Sequence, residues 1–447
     1  MKLPFRLRSF RHGVHPDDHK EQTEHLPVEH MPFSGRCVLP LGQGGKPSQP
    51  RVRVGQQVRR GETLADADGF VSTALHSPLD GRVVDLGRHR HPNGNVVPCV
   101  EIEADPFSPQ LVAPHPPVDP DGLDVDAFVA HVQRGGIVGL GGAAFPAHVK
   151  YKTPAEKPVR HFVLNGCECE PYLTCDHRTM VERPAEVLRG ARIVASKLGA
   201  GDIHIGVEHN KEDAIAALRA EVRPGEAIHV TPLQVKYPQG AEKMLLEALF
   251  GIEVPAGKLP LDVGAVVNNV GTMVALADWF DRGIPLIERV VTVSGPGVRR
   301  PANVLVPIGT PIRDLLAHCG GTVPETREFV MGGPMMGSAL ASIDVPVLKG
   351  TSAVLAFTAS ETARADEFSC LKCGRCLDAC ANFLNPQVLA RQARAGDVKA
   401  LEANFVMDCM ECGACSFACP SNIPIVQLIR VAKSSIRDKK RKEGKKG

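Results

Sequence analysis

The sequence is poor in the features that mark membrane-spanning, secreted and nucleic-acid-binding chains. Aromatic residues make up 4% of its 447 residues, and no apolar run approaches the roughly 18 residues that cross a bilayer. The N-terminal segment MKLPFRLRSFRHGVHPDDHK lacks the apolar stretch of a signal peptide. Lysine and arginine (52) almost balance aspartate and glutamate (50), so overall charge favours neither nucleic acid nor a membrane surface. These absences predict a cytoplasmic chain with no transmembrane segment.

What the sequence does contain indicates several domains and a metal centre. The chain is too long for one hydrophobic core, and two to four domains are expected. Its 43 glycines and 37 prolines indicate many turns and compact β-rich units. Most of the 14 cysteines cluster near the C-terminal end. Because nothing indicates secretion, this clustering favours metal ligation over disulfides.

The first quarter of the chain predicts a polar arm and a β-domain. Residues 1–30 form the arm, in which a metal site of His12, His15 and His19 is the alternative to a solvated segment. Residues 31–113 alternate short β-like runs with glycine turns and resemble the barrel-sandwich hybrid of biotinyl and lipoyl domains. Those carriers present a lysine at a hairpin tip, where this chain has Val71 and Ser72. We therefore expect a docking or structural role.

The middle of the chain alternates strand-like and helix-like segments. HFVLNG (161–166) is typical of a buried strand and AIAALRAEV (214–222) of a helix. This alternation predicts an α/β layer with parallel strands for residues 120–287. Residues 288–345 contain a strand, a turn, a strand and a short helix, which resembles the β-grasp-like SLBB module. Residues 433–447 are a basic tail, expected to be disordered.

Two identical cysteine runs lie within residues 366–432. Each follows C-x2-C-x2-C-x3-C, the pattern of two-cluster ferredoxins, in which the fourth cysteine of each run crosses to the other cluster. A zinc site does not require two such runs of four. We therefore predict two [4Fe–4S] clusters, one bound by Cys370, Cys373, Cys376 and Cys419 and the other by Cys380, Cys409, Cys412 and Cys415.

A glycine-rich loop, GLGGAAFPAHVKY, begins at Gly139. It fits the dinucleotide fingerprint G-x-G-x-x-A, but the preceding residues have helical rather than strand spacing, which argues against an ordinary Rossmann site. A second interpretation is a phosphate cradle formed by the amides of Gly141 and Gly142, with Lys150 behind them. A plain glycine turn is the third. The clusters favour the cradle, because flavin is the usual converter between hydride and single electrons.

Four segments in the same order resemble the flavin site of the NADH-oxidising 51 kDa subunit of respiratory complex I. They are the glycine loop, NGCECEPYLTCDHR, KYPQGAEK and VVNNVGTM, all within residues 139–273. The resemblance implies that FMN and NADH are bound by Gly139, Gly141, Gly142, Phe145, Lys150, Asn165, Glu168, Glu170, Tyr237, Gly240, Glu242, Asn268, Asn269 and Thr272.

The same resemblance implies individual roles. Phe145 would stack on nicotinamide or adenine, and Glu170 and Glu242 would accept hydrogen bonds from NADH. No acid or base is expected, since hydride transfer depends mainly on geometry. Two positions depart from the family: Cys167 stands where complex I subunits have an acidic residue, and Ala241 replaces the first of two glutamates. The phosphate would lie near Lys150, Asn268, Asn269 and Thr272.

The domain order implies a larger family. A barrel-sandwich hybrid, a complex I 51 kDa-like α/β flavin domain, an SLBB module and a C-terminal two-[4Fe–4S] ferredoxin-like helical domain together resemble the C subunit of the Rnf (Rsx) ion-translocating NAD:ferredoxin oxidoreductase complexes. HGVHPDDHK (12–20) and MGGPMMG (331–337) add to the likeness.

This likeness implies an NADH-dependent oxidoreductase subunit, peripheral on the cytoplasmic face of the cell membrane. It would exchange hydride between NAD(H) and FMN and pass electrons through two [4Fe–4S] clusters. Integral-membrane and iron–sulfur subunits would be its partners, and ferredoxin would be reached through the complex. A soluble flavin/iron–sulfur reductase of a cofactor such as a corrinoid is the alternative, which the N-terminal position of the hybrid domain disfavours. A relay that has lost nucleotide binding is another.

Overall fold

The computed structural model describes residues 7–363 and 365–443, and its N-terminal quarter is built from short strands. The strands are β1 (Val28–His30), β2 (Arg36–Pro40), β3 (Gln49–Pro50), β4 (Gln57–Val58), β5 (Thr63–Asp66), β6 (Leu75–His76), β7 (Gly81–Asp85), β8 (Arg88–Arg90) and β9 (Val96–Ala104). One sheet has the order β2-β9-β7-β4, with β8 on β9, and a second has the order β3-β5-β6. Leu39, Val83 and Ile102 point into the buried core, since alternate residues of a strand face one side.

The second domain is an α/β layer. Its elements are α1 (Val125–Arg134), α2 (Ala147–Tyr151), β10 (His161–Gly166), α3 (Cys175–Glu182), α4 (Pro184–Leu198), β11 (Ile203–Glu208), α5 (Glu212–Ala220), β12 (Ile228–Leu233), α6 (Glu242–Phe250), β13 (Ala265–Asn269) and α7 (Val270–Arg282). The four strands form a parallel sheet of order β12-β11-β10-β13. The glycine loop follows α1, as the helical spacing predicts. The carboxyl ends of parallel strands share one edge, where α/β sheets bind ligands, so the segments after β10 and β13 meet there.

The third domain contains β14 (Glu288–Ser294), β15 (Ala302–Pro307), α8 (Ile312–His318), β16 (Thr326–Met331), β17 (Ser338–Ala339), β18 (Ala353–Thr358) and α9 (Ala359–Thr362). The sheet order is β1-β15-β14-β18-β16-β17. The sheet is therefore wider than the predicted segment 288–345, because β1 comes from the N-terminal arm and β18 lies beyond residue 345.

The cysteine runs lie in a small helical domain made of α10 (Arg375–Asp378), α11 (Pro386–Ala395), α12 (Val398–Ala403), α13 (Ala414–Phe417) and α14 (Ile425–Glu443). Gly374 and Gly413, which precede α10 and α13, both have φ of 80°, so the two runs fold alike. The described part of the basic tail continues α14 instead of being disordered; residues 444–447 lie outside the described residues. Among the described residues, no helix combines the length and apolar character needed to cross a bilayer.

The N-terminal arm is packed against the other domains, which differs from the solvated segment expected. The backbone N–H and C=O of Val14 pair with those of Tyr237, both at 2.9 Å. The three histidines have separate partners: His12 Nδ1 lies 3.2 Å from the Cys380 carbonyl, His15 Nδ1 bonds elsewhere, and the His19 ring stacks on a tyrosine. The structure thus gives the three histidines separate partners and, within the described residues, does not group them as possible metal ligands.

Candidate functional site

The glycine loop is closed on itself and presents bare backbone. The amide of Gly139 donates to the carbonyl of Phe145 at 2.8 Å, and the Leu140 amide donates to Thr272 Oγ1 at 3.0 Å. Gly142 has φ of 106°, a region that residues with a Cβ rarely adopt. Gly141, Gly142 and Phe145 are exposed. The amides are thus available to a ligand, as the cradle interpretation requires.

Asn268 and Asn269, the last two residues of β13, lie beside this loop where α7 begins, and we call them the asparagine turn. Asn269 caps α7, its Oδ1 accepting the Gly271 amide at 2.8 Å, and its Nδ2 donates to Asp176 at 2.6 Å. Asn268 Oδ1 accepts the hydroxyl of Tyr151 at 3.0 Å. Asn268 Nδ2 is buried and has no hydrogen-bond partner within the described part of the chain. A buried donor without a partner is costly, and one at a helix N-terminus fits an anionic group such as the FMN phosphate.

Lys150 and Glu242 are brought together at the end of β13. The ammonium donates to the Val267 carbonyl at 2.9 Å and also pairs with the Glu242 carboxylate. The lysine side chain is 27% exposed and the glutamate 42% exposed. The two residues predicted for phosphate and NADH are therefore ion-pair partners that a ligand can still reach.

The acidic segment after β10 is fixed to the third flavin segment. Asn165 Nδ2 donates to the Gly240 carbonyl at 2.8 Å, and its Oδ1 accepts the Cys167 amide at 3.0 Å. A Cβ on Gly240 would lie 2.4 Å from the Cys167 carbonyl oxygen, so only glycine fits there. Asn165 and Gly240 therefore fix the backbone positions of the two segments at the site.

Glu168, which the resemblance makes a ligand contact, binds the start of α3 in the structure, and its contact with a ligand stays a prediction. It is buried, and its two oxygens accept the amides of Asp176 at 2.9 Å and His177 at 3.1 Å, in the first turn of α3. Burial, with the nearby charge of Glu168, raises the pKa of Asp176 to about 7. In this structure Glu168 stabilises the start of α3. Asp176, whose amide it accepts, in turn accepts a hydrogen bond from Asn269.

Glu170 contacts the SLBB domain. Its oxygens accept the backbone amides of Met335 at 3.0 Å and Met336 at 2.8 Å, and burial raises its pKa to about 7. A Cβ on Gly333 would lie 2.2 Å from a Glu170 oxygen. The MGGPMMG segment, noted in the sequence only for its family likeness, thus forms a wall over this carboxylate.

Tyr237 joins the flavin segments to the cysteine domain. Its side chain is 1% exposed, and its hydroxyl donates to the carbonyl of Cys412 at 2.7 Å. Ala379 and Ala414 from the cysteine domain pack with it in one apolar cluster. Sequence reasoning assigned Tyr237 to flavin or nucleotide binding and missed this contact, which no local pattern indicates.

The eight cysteines line two separate cavities. Three members of each run share a cavity with the fourth member of the other run, so that the sets are Cys380, Cys409, Cys412 and Cys415, and Cys370, Cys373, Cys376 and Cys419. Four sulfurs around one cavity suit a [4Fe–4S] cubane. The first set, which includes Cys412, faces the flavin domain; we call it the inner set. The second, the outer set, includes the exposed Cys370 and Cys373. Ligation by these sets remains a prediction.

Comparison with known protein families gives matches to each domain in turn. The models that match are those of the RnfC barrel sandwich hybrid domain (residues 8–106), the Nuo51 FMN-binding domain (132–278), the SLBB domain (290–339) and the 4Fe-4S dicluster domain (361–424).

Curated relatives align over nearly the whole chain. The C subunit of the proton-translocating ferredoxin:NAD(+) oxidoreductase complex of Clostridium ljungdahlii is 42% identical over 96% of this chain and 94% of its own length. The chain belongs to the C-subunit family of the Rnf-type ion-translocating oxidoreductases. Other family members are the C subunit of the Rhodobacter capsulatus ion-translocating oxidoreductase complex (40% identical, covering 98% of this chain and 85% of that protein) and the C subunit of the Acetobacterium woodii Na(+)-translocating ferredoxin:NAD(+) oxidoreductase complex (38%, 97% and 98%).

Membership of the C-subunit family confirms the resemblance and the predicted fold class, and the matching models confirm an FMN-binding domain and an iron–sulfur dicluster domain. Among solved structures, a chain of an NAD+-reducing [NiFe]-hydrogenase in the H2-reduced state has a TM-score of 0.51 at 22% identity, covering 71% of this chain and 62% of that chain. This similarity shows a shared fold alone.

Proposed function

We propose that this chain is the peripheral electron-input subunit of an ion-translocating ferredoxin:NAD oxidoreductase complex. The observation that carries this proposal is the contact from Tyr237 to Cys412, because it connects the third flavin segment directly to the inner cysteine set. When bound, FMN exchanges a hydride with NAD(H) and releases electrons singly, and [4Fe–4S] clusters carry one electron each.

The chain's own residues bind and orient the reactants. The amides of Gly141 and Gly142 and the Nδ2 of Asn268 would hold the phosphate, with the Lys150 ammonium as its counter-charge. Phe145 is 39% exposed and offers a ring for the nicotinamide or adenine to stack on. Since hydride transfer requires alignment more than proton transfer, the rigid hydrogen-bonded loop is the main contribution of the protein.

The two cysteine sets lie at different depths in the chain, which suggests an order for electron transfer. The inner set lies against the flavin domain through Tyr237, whereas the outer set has cysteines exposed at the surface. A cluster held by the inner set would therefore lie beside the flavin domain, and a cluster held by the outer set would lie toward the surface, where partner subunits could exchange electrons with it. We further propose that those partners are integral-membrane and iron–sulfur subunits and that this chain is peripheral on the cytoplasmic face of the cell membrane. The relatives are named as subunits of ion-translocating complexes, which supports a membrane partner.

The content of purified protein tests this proposal. We expect about eight irons and one non-covalent FMN per chain after anaerobic reconstitution, and bleaching of the flavin by NADH. Metal and flavin assays with an NADH titration measure all three quantities. A stable protein that takes up zinc without iron, or a flavin that NADH does not reduce, would contradict the proposal.

Glu170→Gln is expected to raise the Michaelis constant for NADH several-fold while leaving FMN and iron content unchanged. Glutamine retains the size of the side chain and one acceptor oxygen, but its NH2 group cannot accept the second amide from Met335 or Met336. The side chain should therefore shift relative to residues 331–337, and the contact that we propose it makes with NADH should weaken. Steady-state NADH oxidation with an artificial one-electron acceptor gives the constant.

Glu328→Gln, an exposed position on β16, is the matched control and should behave as wild type. An unchanged Michaelis constant in Glu170→Gln, with a lowered melting temperature, would assign Glu170 to domain contact alone and remove it from the nucleotide site.

A further inference from the structure

A loop of the hybrid domain lies directly against the glycine loop. Gly44 has φ of 91°, and a Cβ on it would be 1.5 Å from the Ala144 carbonyl oxygen and 2.7 Å from the carbonyl carbon. Real Cβ atoms do not approach backbone so closely, so the two backbones touch only because position 44 has no side chain. The contact joins the first domain to the centre of the predicted flavin loop.

Hydrogen bonds that involve Gln43 and Lys349 hold the hybrid domain in this position. Gln43 Oε1 accepts the backbone amide of Lys349 at 2.8 Å. The Lys349 side chain is buried, and its ammonium donates to the carbonyls of Ala74 at 3.0 Å and Gly136 at 2.6 Å. It therefore ties the hybrid domain to the residues that lead into the glycine loop.

The next residue, Gly350, supports the loop from another side. A Cβ there would lie 3.0 Å from both the Ala144 Cβ and the Gly142 carbonyl oxygen. Gly44 and Gly350 thus hold Ala144 between them. Their backbones restrict how far the loop can move when a ligand enters or leaves.

Ala144 needs this support because its own conformation is unfavourable. Its φ is 50°, in the left-handed region that residues with a Cβ seldom adopt. Such conformations persist where the surrounding structure imposes them. Ala144 also precedes Phe145, whose carbonyl accepts the Gly139 amide and closes the loop. The position of Ala144 therefore sets both the aromatic ring and the loop closure.

We propose that the hybrid domain forms part of the flavin site and that Gly44 is a positioning residue. By holding Ala144 in the left-handed conformation, Gly44 keeps the amides of Gly141 and Gly142 and the ring of Phe145 in their binding arrangement. This inference rests on the proposed function, since FMN is the ligand concerned. The hybrid domain thus helps to shape a site whose other residues belong to the flavin domain, in place of the carrier role of the biotinyl and lipoyl domains that it resembles.

The test compares Gly44→Ala with Gly55→Ala in the full chain. Gly55 belongs to the same domain and has φ of 86°, but its added Cβ would meet no described atom within 4 Å. Both variants carry the same backbone penalty, and only Gly44→Ala displaces Ala144. FMN affinity is measured on flavin-depleted protein by quenching of FMN fluorescence. We expect at least tenfold weaker binding in Gly44→Ala and a change within twofold in Gly55→Ala, with wild-type iron content in both.

Kinetics separate positioning from loss of stability. At saturating FMN, displacement of Phe145 should raise the Michaelis constant for NADH in Gly44→Ala and leave kcat within about twofold. A variant that is merely unstable would lower the active fraction, and hence kcat, at an unchanged Michaelis constant. Equal FMN affinities in Gly44→Ala and Gly55→Ala, or that second kinetic pattern, would overturn the inference.

Gly350→Ala covers the case in which Gly44→Ala does not fold. It has no positive φ and presses on Ala144 by contact alone, so we expect about threefold weaker FMN binding. Wild-type affinity in folded Gly350→Ala would overturn the inference. Failure of the wild-type chain itself to bind FMN would instead refute the proposed function.

Discussion

Replacing Cys380 by alanine is expected to destroy the cluster bound by the second cysteine run and to leave the cluster bound by the rest of its own run. Cys380 lines the cavity of Cys409, Cys412 and Cys415. The tight C-x2-C-x2-C loop reaches three corners of a cubane, and the residues that follow lead the chain to the other cavity. Total iron should fall from about eight toward about four.

The position of the inner set beside the flavin domain allows crossed ligation to be distinguished from ligation of each cluster by its own run. In Cys380→Ala the surviving outer cluster would be separated from the flavin domain by the empty inner cavity. Dithionite should reduce it, whereas NADH should reduce it at least tenfold more slowly than in wild type. In Cys419→Ala the surviving inner cluster lies beside Tyr237, and NADH should still reduce it at nearly the wild-type rate.

Electron paramagnetic resonance after reduction with each donor measures these differences. Cys99→Ala is the control, because Cys99 is buried in β9 of the hybrid domain and lines neither cysteine cavity, and this variant should retain all the iron. If each run closed its own cluster, the two variants would exchange behaviour: NADH would reduce the surviving cluster in Cys380→Ala but not in Cys419→Ala. That result would refute crossed ligation without touching the electron-transfer role.

The grouping of the cysteines around two cavities followed from the spacing typical of two-cluster ferredoxins. The order of the four domains followed from resemblance, since each segment is similar to a known module. The helix before the glycine loop also followed from spacing, and α1 has the predicted position. In all these cases the information lies within a few dozen consecutive residues.

Contacts between distant segments could not be predicted in this way. Glu170 lies 165 residues before Met335, whose amide it accepts, and nothing near either residue indicates the other. Glu168 matched a ligand-binding pattern, and nothing in that pattern indicated that its two oxygens also accept backbone amides from the first turn of α3. The arm around Val14 is polar in composition, but it pairs through its backbone with Tyr237. Backbone pairing leaves no mark in side-chain composition, so the packing of the arm was missed.

Lys150→Ala is expected to weaken FMN binding by one to two orders of magnitude and to leave both clusters intact. A hydrogen bond to a charged group contributes about 1.5–3 kcal/mol, and each 1.4 kcal/mol corresponds to about tenfold in affinity. Removal of the ammonium also leaves the Glu242 carboxylate without its partner, and an unpaired negative charge repels the phosphate. The lysine lies in α2 of the flavin domain, so iron content should not change.

Lys152→Ala is the matched control for this prediction. Lys152 is two residues away, is 48% exposed and pairs with Asp126 at the surface, so its removal takes away the same formal charge outside the predicted flavin site. Titration of flavin-depleted protein with FMN gives both affinities, and excess FMN should restore NADH oxidation in Lys150→Ala. Equal affinities in the two variants would mean that the phosphate binds elsewhere. The free Nδ2 of Asn268 and the amides of the glycine loop would then have to hold the phosphate without a cation, a result that Asn268→Leu would test by the same titration.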